Sequence, residues 1–245
     1  MKSIVVYSKF ELLQAMRIPM VYVALLFMPS VGMVLFVIPA VGDDPLAAAM
    51  ATASMCLVAV LTICAAQYGM AISIGRIQPW GAYVRTLPGG PLPRIVSMLV
   101  FSTVLVVFSC VPLIAIAGFT TSASISVGSL LLGFAALLLA VVPFGLLMTA
   151  VGYSVSPMAI GPLTSLAPIV LAFVGGFFTD PNATGGLLAT LTQFLPTRGP
   201  AELVWAAVGG YSVNLISMVS FVVWTAIFAA WAYRAYRNDE GKRFA

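Results

Sequence analysis

The residues best placed to do chemistry in this chain are the arginines of one short stretch, GRIQPWGAYVRTLPGGPLPR, at residues 75–94. Arg76, Arg85 and Arg94 stand within it, in a protein of which only 7% of residues are charged and 62% are hydrophobic. Guanidinium groups pair with carboxylates and phosphates, so the stretch suits contact with an acidic protein surface or with lipid headgroups. Uninterrupted apolar runs flank it on both sides.

Several other chemistries are excluded by the residues that the sequence lacks. There is no histidine, which rules out a Ser-His nucleophile, an HExxH zinc site and an imidazole proton relay. No GxxxxGK[ST] phosphate-binding loop occurs, so we expect no enzyme activity and no metal site in this chain. Cys56, Cys64 and Cys110 are interpreted as small buried residues of the apolar runs.

Long uncharged runs identify the class of protein. No Asp, Glu, Lys or Arg occurs in the 85 residues between Arg94 and Asp180, and two further runs of 31 uncharged residues cover 45–75 and 203–233. A helix needs about 20 apolar residues to cross about 30 Å of hydrocarbon. The runs therefore predict an all-α polytopic membrane protein, and their continuity excludes the short alternating segments of a transmembrane barrel.

Six spans are predicted from these runs and from the proline, glycine and serine clusters between them. They lie near residues 20–41, 46–74, 95–118, 127–153, 162–178 and 211–233. The chain is predicted to form a single transmembrane domain, 1–245. Its parts are a cytoplasmic helix (1–19), spans one to five (20–178), an outer re-entrant segment (179–210), span six (211–233) and a cytoplasmic tail (234–245).

Orientation is predicted from the basic residues, because short cytoplasmic loops carry an excess of Lys and Arg. Ten of the eleven basic residues precede the first span, lie in 75–94 or come after the last span, and only Arg198 lies elsewhere. These three segments are therefore predicted to be cytoplasmic, which places Asp43, Asp44 and Asp180 outside. We expect a multi-pass protein of the cell (plasma or inner) membrane with both termini in the cytoplasm.

The segment from 183 to 210 needs a separate interpretation. Its apolar pieces, ATGGLLATLTQFL and PAELVWAAVGG, are each too short to span, and a seventh crossing would put the basic C-terminus outside. We predict two short helices that enter the membrane and return, broken at 195–200, since non-spanning backbone is tolerated where protein or water surrounds it. A helical hairpin lying flat at the outer interface is the alternative.

The energy source is predicted from a further absence. The six spans as drawn contain no Asp, Glu, Lys or Arg, whereas ion-coupled transporters keep such residues inside the membrane. Uphill transport by this chain would therefore draw its energy from a partner outside the bilayer. The cytoplasmic stretch 75–94 is the natural place to receive that partner.

The sequence resembles, over essentially its whole length, the transmembrane subunits of type-2 ABC transporters, the exporter-type permease class. The motifs that carry the resemblance are MRIP (16–19), RIQPWGAYVRTLPGGPLPR (76–94), AFVGGFFTDP (172–181) and FLPTRGPAELV (194–204). They are similar to that family's connecting helix, its basic coupling loop, its Gly-rich end of span five and its outer re-entrant pair. Members usually carry an acidic residue near Arg76, where this chain has Gly75, Ile77 and Gln78.

The resemblance implies an assembly of two permeases, identical or a homologous pair, on two cytoplasmic ABC ATPase subunits. ATP and Mg would bind to those partners, this chain would bind no cofactor, and the other contacts would be membrane lipids and no nucleic acid. ATP-driven closure of the ATPases would push on 75–94 and on the N-terminal helix. The substrate expected for export is hydrophobic or amphipathic, such as a drug, an antibiotic or a lipid-like molecule.

The residues expected to couple to the ATPase are Arg76, Trp80, Tyr83 and Arg85. Four prolines between Pro79 and Pro93 stiffen the loop so that it can transmit a push, and the aromatic rings can anchor it at the interface. The alternative is that the arginines only obey the positive-inside rule and bind lipid headgroups, which we favour for Arg94.

The N-terminal helix is predicted to be the connecting helix. It carries an apolar stripe with a cation near the same face, formed by Val6, Phe10, Leu13 and Arg17. Alternatively, the stripe lies on the membrane while the cations reach the headgroups.

Polar and aromatic residues of two spans are candidates for the substrate pathway: Gln67 and Tyr68 in span two, and Asn214, Ser217, Phe221 and Trp224 on one face of span six. The alternative is that they bond one helix to another, as polar residues in spans usually do. The outer re-entrant turn is assigned to Leu195, Pro196 and Arg198 by the resemblance.

A passive role is the competing hypothesis for the whole chain. Solute-capture subunits and six-span channels are also small integral membrane proteins with few charges. They lack the arginine-rich second cytoplasmic loop and the outer pair of short helices. A P-loop ATPase encoded beside this chain would discriminate between the two classes.

Overall fold

The computed structural model describes residues 27–41, 43–78, 92–123, 125–178 and 187–243, apart from the side chains of 92–95, 187–189 and 240–243. Every regular element within these ranges is a helix. Five of the helices are long and apolar enough to cross a membrane. The predicted all-α class is confirmed for the described residues, and the five apolar helices are compatible with the predicted multi-pass membrane protein.

The helices are numbered in chain order. They are α1 (Phe27–Val41), α2 (Pro45–Gly75), α3 (Leu92–Thr120), α4 (Val127–Ser154), α5 (Pro157–Val174), α6 (Leu187–Thr192), α7 (Arg198–Gly209) and α8 (Leu215–Arg243). The five able to span are α2, α3, α4, α5 and α8. α1 is apolar but shorter, and residues 20–26 of the predicted first span lie outside the described residues.

Polar residues at the breaks start these helices. The Asp44 carboxylate accepts hydrogen bonds from the N–H groups of Leu46 and Ala47 at 2.9 and 3.1 Å, and Pro45 occupies the first turn, where a missing N–H costs nothing. The Asn214 side chain accepts from the N–H of Ile216 at 2.9 Å at the start of α8. The sequence VGDDP thus both ends one apolar run and caps the next helix.

The fifth span differs from the predicted range of 162–178. The stretch SVSPMAIGP predicts a break at 154–162, but only Val155 and Ser156 lie between helices, and α5 already begins at Pro157. Proline suits the first turn of a helix, so Pro157 starts the fifth long helix although it was predicted to lie in the break before it. The helix ends at Val174 before Gly175 and Gly176, the second of which has a φ of 75° that favours glycine.

The five long helices alternate in direction between two ends of a bundle. At one end, Gly209 of α7 lies against Met50 and Leu46 of α2, and Val208 lies against Gly133 of α4. We call this the Asp44 end, formed by residues 43–50, 121–123, 125–133 and 208–217. At the opposite Arg76 end, formed by residues 72–78, 152–156 and 235–239, α2 and α4 finish beside the last turns of α8.

The helices are buried to very different degrees. The 18-residue apolar stretch of α2 is 72% buried inside the chain, whereas that of α8 is only 17% buried. α2 is therefore the centre of the bundle, and α8 lies along its outside. Residues 234–243, predicted as a tail, continue α8 as a helix.

α2 and α4 meet closely near the Arg76 end. Residues Ala65–Met70 of α2 form a π-helical turn, and an ideal Cβ on Gly152 would lie 2.8 Å from the carbonyl oxygens of Tyr68 and Gly69. Only glycine permits this approach of one backbone to another. The two helices are thus packed as one body at this level.

Candidate functional site

Most residues predicted to receive an ATPase lie outside the described residues. This holds for Trp80, Tyr83 and Arg85 of the basic stretch, and for the connecting-helix residues Val6, Phe10, Leu13 and Arg17. Their roles stay predictions. Arg76 is the one member of the set that the structure places.

Arg76 joins three helices at the Arg76 end. Its Nε and Nη2 atoms donate to Asp239 Oδ1 of α8 at 2.8 and 2.7 Å. Its Nη1 atom donates to the carbonyl oxygens of Gly152 and Val155, at 3.1 and 3.3 Å, where α4 ends. A cation suits this place because the last carbonyls of a helix are unpaired and carry partial negative charge.

Asp239 was not among the predicted site residues. An acidic partner for Arg76 is absent from the neighbouring residues, and the carboxylate comes instead from 163 positions further along the chain. One signal for it exists in the sequence. Phe228, Ala232, Ala235 and Asp239 have the 4-3-4 spacing of one helix face and are all buried. A carboxylate that ends such an apolar stripe requires a cationic partner.

A second charged cluster lies near the Asp44 end, at the predicted outer turn. The Arg198 Nε atom donates to Glu202 Oε1 at 3.0 Å, and Nη2 donates to the Tyr211 hydroxyl at 3.1 Å. The guanidinium carbon also lies 4.9 Å from the centre of the Trp205 ring. Leu195 and Pro196 belong to the turn that precedes α7 and are half-buried.

Glu202 is the centre of this cluster. Its side chain is 1% exposed, and it accepts from the Ser217 hydroxyl at 2.8 Å and from the Asn214 N–H at 2.9 Å in addition to Arg198. One carboxylate therefore fixes α7 to the start of α8. The buried Trp205 extends the cluster to α2, since its Nε1 atom donates to Ser54 Oγ at 2.9 Å.

The predicted pathway residues of span six all contact the 194–202 segment. Asn214 and Ser217 bond to Glu202, the Phe221 side chain lies against Gly199, and Trp224 Nε1 donates to the carbonyl oxygen of Phe194 at 2.8 Å. These contacts are the ones expected if polar residues bond helices together. The role of these residues in a substrate pathway stays a prediction.

The span-two candidates lie in the π-helical turn of α2. Tyr68 is buried, with its ring against Gly145 of α4, and Gln67 is half-buried. Single π turns are frequent at functional sites. The ring of Tyr68 fills the space that the missing Gly145 side chain leaves.

Comparison of the chain with protein-family models, with curated proteins and with solved structures finds no match.

The Arg198–Glu202 pair yields a stability prediction. Arg198→Met leaves the Glu202 carboxylate buried without its cation, which is expected to cost about 3–5 kcal/mol of folding free energy. The double variant Arg198→Met with Glu202→Gln removes the stranded charge and should recover part of that loss. Thermal unfolding of the detergent-purified protein measures both, with Arg237→Met at an exposed position as the control. A double variant less stable than Arg198→Met would contradict the pairing.

Proposed function

We propose that this chain is the membrane-spanning permease subunit of an ATP-driven ABC exporter for a hydrophobic or amphipathic substrate. The observation that carries the proposal is the distribution of elements between the two ends of the bundle. The basic 75–94 stretch begins at the Arg76 end, where α8 also carries the exposed Arg234 and Arg237. The short helix α7, which follows α6 in the chain, lies towards the Asp44 end, next to the start of α8.

This distribution supports a cytoplasmic Arg76 end. Short cytoplasmic loops carry an excess of Lys and Arg, as the Arg76 end does. The loop residues Asp43 and Asp44 at the other end are acidic, and acidic residues contribute little to orientation. The five long helices alternate in direction, and the first of them, α2, starts at the Asp44 end. With a first span over 20–41 they make six crossings and place both termini in the cytoplasm.

The contacts of the 187–209 segment support a re-entrant pair rather than a hairpin lying flat on the surface. α6 has 6 residues and α7 has 12. At 1.5 Å per residue, α7 is about 18 Å long, too short for a hydrocarbon layer of about 30 Å. Phe194, between the two helices, bonds to Trp224, which lies nine residues or about 14 Å along α8 from Leu215. A turn that reaches this far along α8 lies level with the middle of that helix, at an exposed position.

The charged groups support an energy source outside the membrane. Away from the Arg76 end, Arg198 and Glu202 are the buried charged pair of the described chain. They pair with each other, and Glu202 is sealed from solvent. A coupling carboxylate must exchange protons or ions with water during transport, which a sealed and fully bonded group cannot readily do. ATP hydrolysis by partner subunits supplies the energy in this proposal, through loop 75–94.

Topology provides the first test. Ser212→Cys, exposed before α8, is expected to react with a membrane-impermeant maleimide added outside intact cells. Asn238→Cys, exposed at the Arg76 end, should react only after permeabilisation. The native cysteines are buried and serve as the unreactive background. Outside labelling of Asn238→Cys would refute the cytoplasmic placement of the Arg76 end.

Partner docking provides the second test, with the P-loop ATPase encoded nearest this chain as the co-expressed partner. Arg85→Glu opposes an acidic ATPase surface with like charge, and Trp80→Ala removes the anchor. Each is expected to cost about 1–3 kcal/mol of docking energy. Membrane abundance should stay normal while co-purification of the ATPase falls.

Arg94→Glu is the matched control, because it makes the same charge reversal at the edge of a span and should weaken docking much less. Unchanged ATPase association in Arg85→Glu would show that Arg85 does not dock the ATPase, and the arginines would then only determine topology. Failure of any P-loop ATPase to associate with the wild-type chain would favour the passive capture subunit or channel.

A further inference from the structure

We propose that Asp239 and Arg76 form a coupling ion pair through which movement of the 75–94 loop reaches α8. This inference rests on the proposed function and adds to it the residue that receives the movement inside the membrane subunit. Arg76 comes directly after the last helical residue of α2, Gly75, and is the first charged residue of the loop. A displacement of the loop therefore acts first on Arg76.

The bonds of Arg76 determine where that displacement goes. One guanidinium group holds Asp239 of α8 and the terminal carbonyl oxygens of α4. α4 is already fixed to α2 by the close backbone approach at Gly152. α8 packs along α4, and at the Arg76 end its contacts with this body include Asp239 and the Tyr236 ring, which packs edge-on against Tyr153 with ring centres 5.4 Å apart. The ion pair thus joins the last turns of α8 to the end of the closely packed α2–α4 body.

The surroundings of the pair allow it to open. A polar cavity of about 250 Å³ adjoins it, lined by Arg76, Tyr153, Ser154, Ala235, Asn238 and Asp239. Water in this space can solvate the two charges when they separate, which lowers the cost of breaking a partly buried pair. The Arg76 side chain is 22% exposed, against 11% for Arg198, so the pair near the Asp44 end is the more sealed of the two.

The burial of the helices supports the same direction of movement. α8 is the least buried of the five long helices, and α2 is the most buried. Displacing α8 therefore disrupts less packing than displacing α2. At the other end, Glu202 holds α8 through Ser217 and the Asn214 N–H. α8 is expected to pivot about this sealed cluster as the Arg76–Asp239 pair opens and closes.

The test monitors the position of α8 in the complex with the co-expressed ATPase. Spin labels at Met158→Cys of α5 and Tyr233→Cys of α8, both exposed, report the distance across the Arg76 end. In the wild type, trapping with MgATP and orthovanadate should shift the label distance. In Asp239→Asn, which keeps the shape and removes the charge, the distance should stay at its nucleotide-free value although the ATPase still co-purifies.

Two further variants separate coupling from folding. Arg234→Gln removes an exposed charge on α8 before Asp239 and should leave the nucleotide-driven shift intact. Arg76→Lys keeps the charge but loses the forked donors, and it should reduce the nucleotide-driven shift. It replaces Asp239→Asn as the test if that variant fails to accumulate. A normal shift in both Asp239→Asn and Arg76→Lys would overturn the coupling role while leaving the proposed function standing. Absence of an ATPase from the wild-type complex would overturn both.

Discussion

The hydrocarbon layer supplies no water to hydrate a charge or to bond an unpaired polar group, and the arrangement of this chain depends on that constraint. Within the described residues, charged side chains stand at the two ends of the bundle or are paired. Several threonine hydroxyl groups inside the helices donate to their own backbone. Examples are Thr52, Thr62, Thr149 and Thr225, each donating to the carbonyl four residues earlier. Such bonds satisfy a polar group without a neighbouring helix.

The buried Arg198–Glu202 pair is the costly exception and explains how short helices can be held in such a bundle. Removing both charges from water costs several kcal/mol for each ion, which the pair recovers only through good geometry and further hydrogen bonds. Glu202 has these bonds from Ser217 and from the Asn214 N–H. A pair of this kind adds little net stability. It does specify one position for α7, because any other position leaves a buried charge without partners.

Features that depend on the composition of one continuous segment can be predicted from the sequence. Uncharged runs locate α2, α3, α4, α5 and α8, and the short apolar pieces predict that 183–210 contains no spanning helix. Boundaries are less predictable where one residue type has two uses. Proline marks a break after a helix but also starts one, and Pro157 does the second.

Pairings across the chain are the least predictable. A search near Arg76 for its acidic partner fails because the partner, Asp239, comes from the far end of the sequence. The apolar stripe that ends at Asp239 shows that this carboxylate faces the bundle, but it does not name the cation. Similarly, Asn214 and Ser217 lie together at the start of α8. Their partner is Glu202 of α7, and helical spacing alone does not reveal it.

The proposed function requires this chain to work as one of two permeases driven by two ATPase subunits. The intact mass of the complex, extracted in detergent and purified through a tag on this chain, measures that composition directly. We expect a mass equal to two copies of the 25.7 kDa chain, or one copy with a homologous permease, together with two nucleotide-binding subunits. A transport-active particle that contains one permease, or that contains no ATPase, would contradict the proposed function.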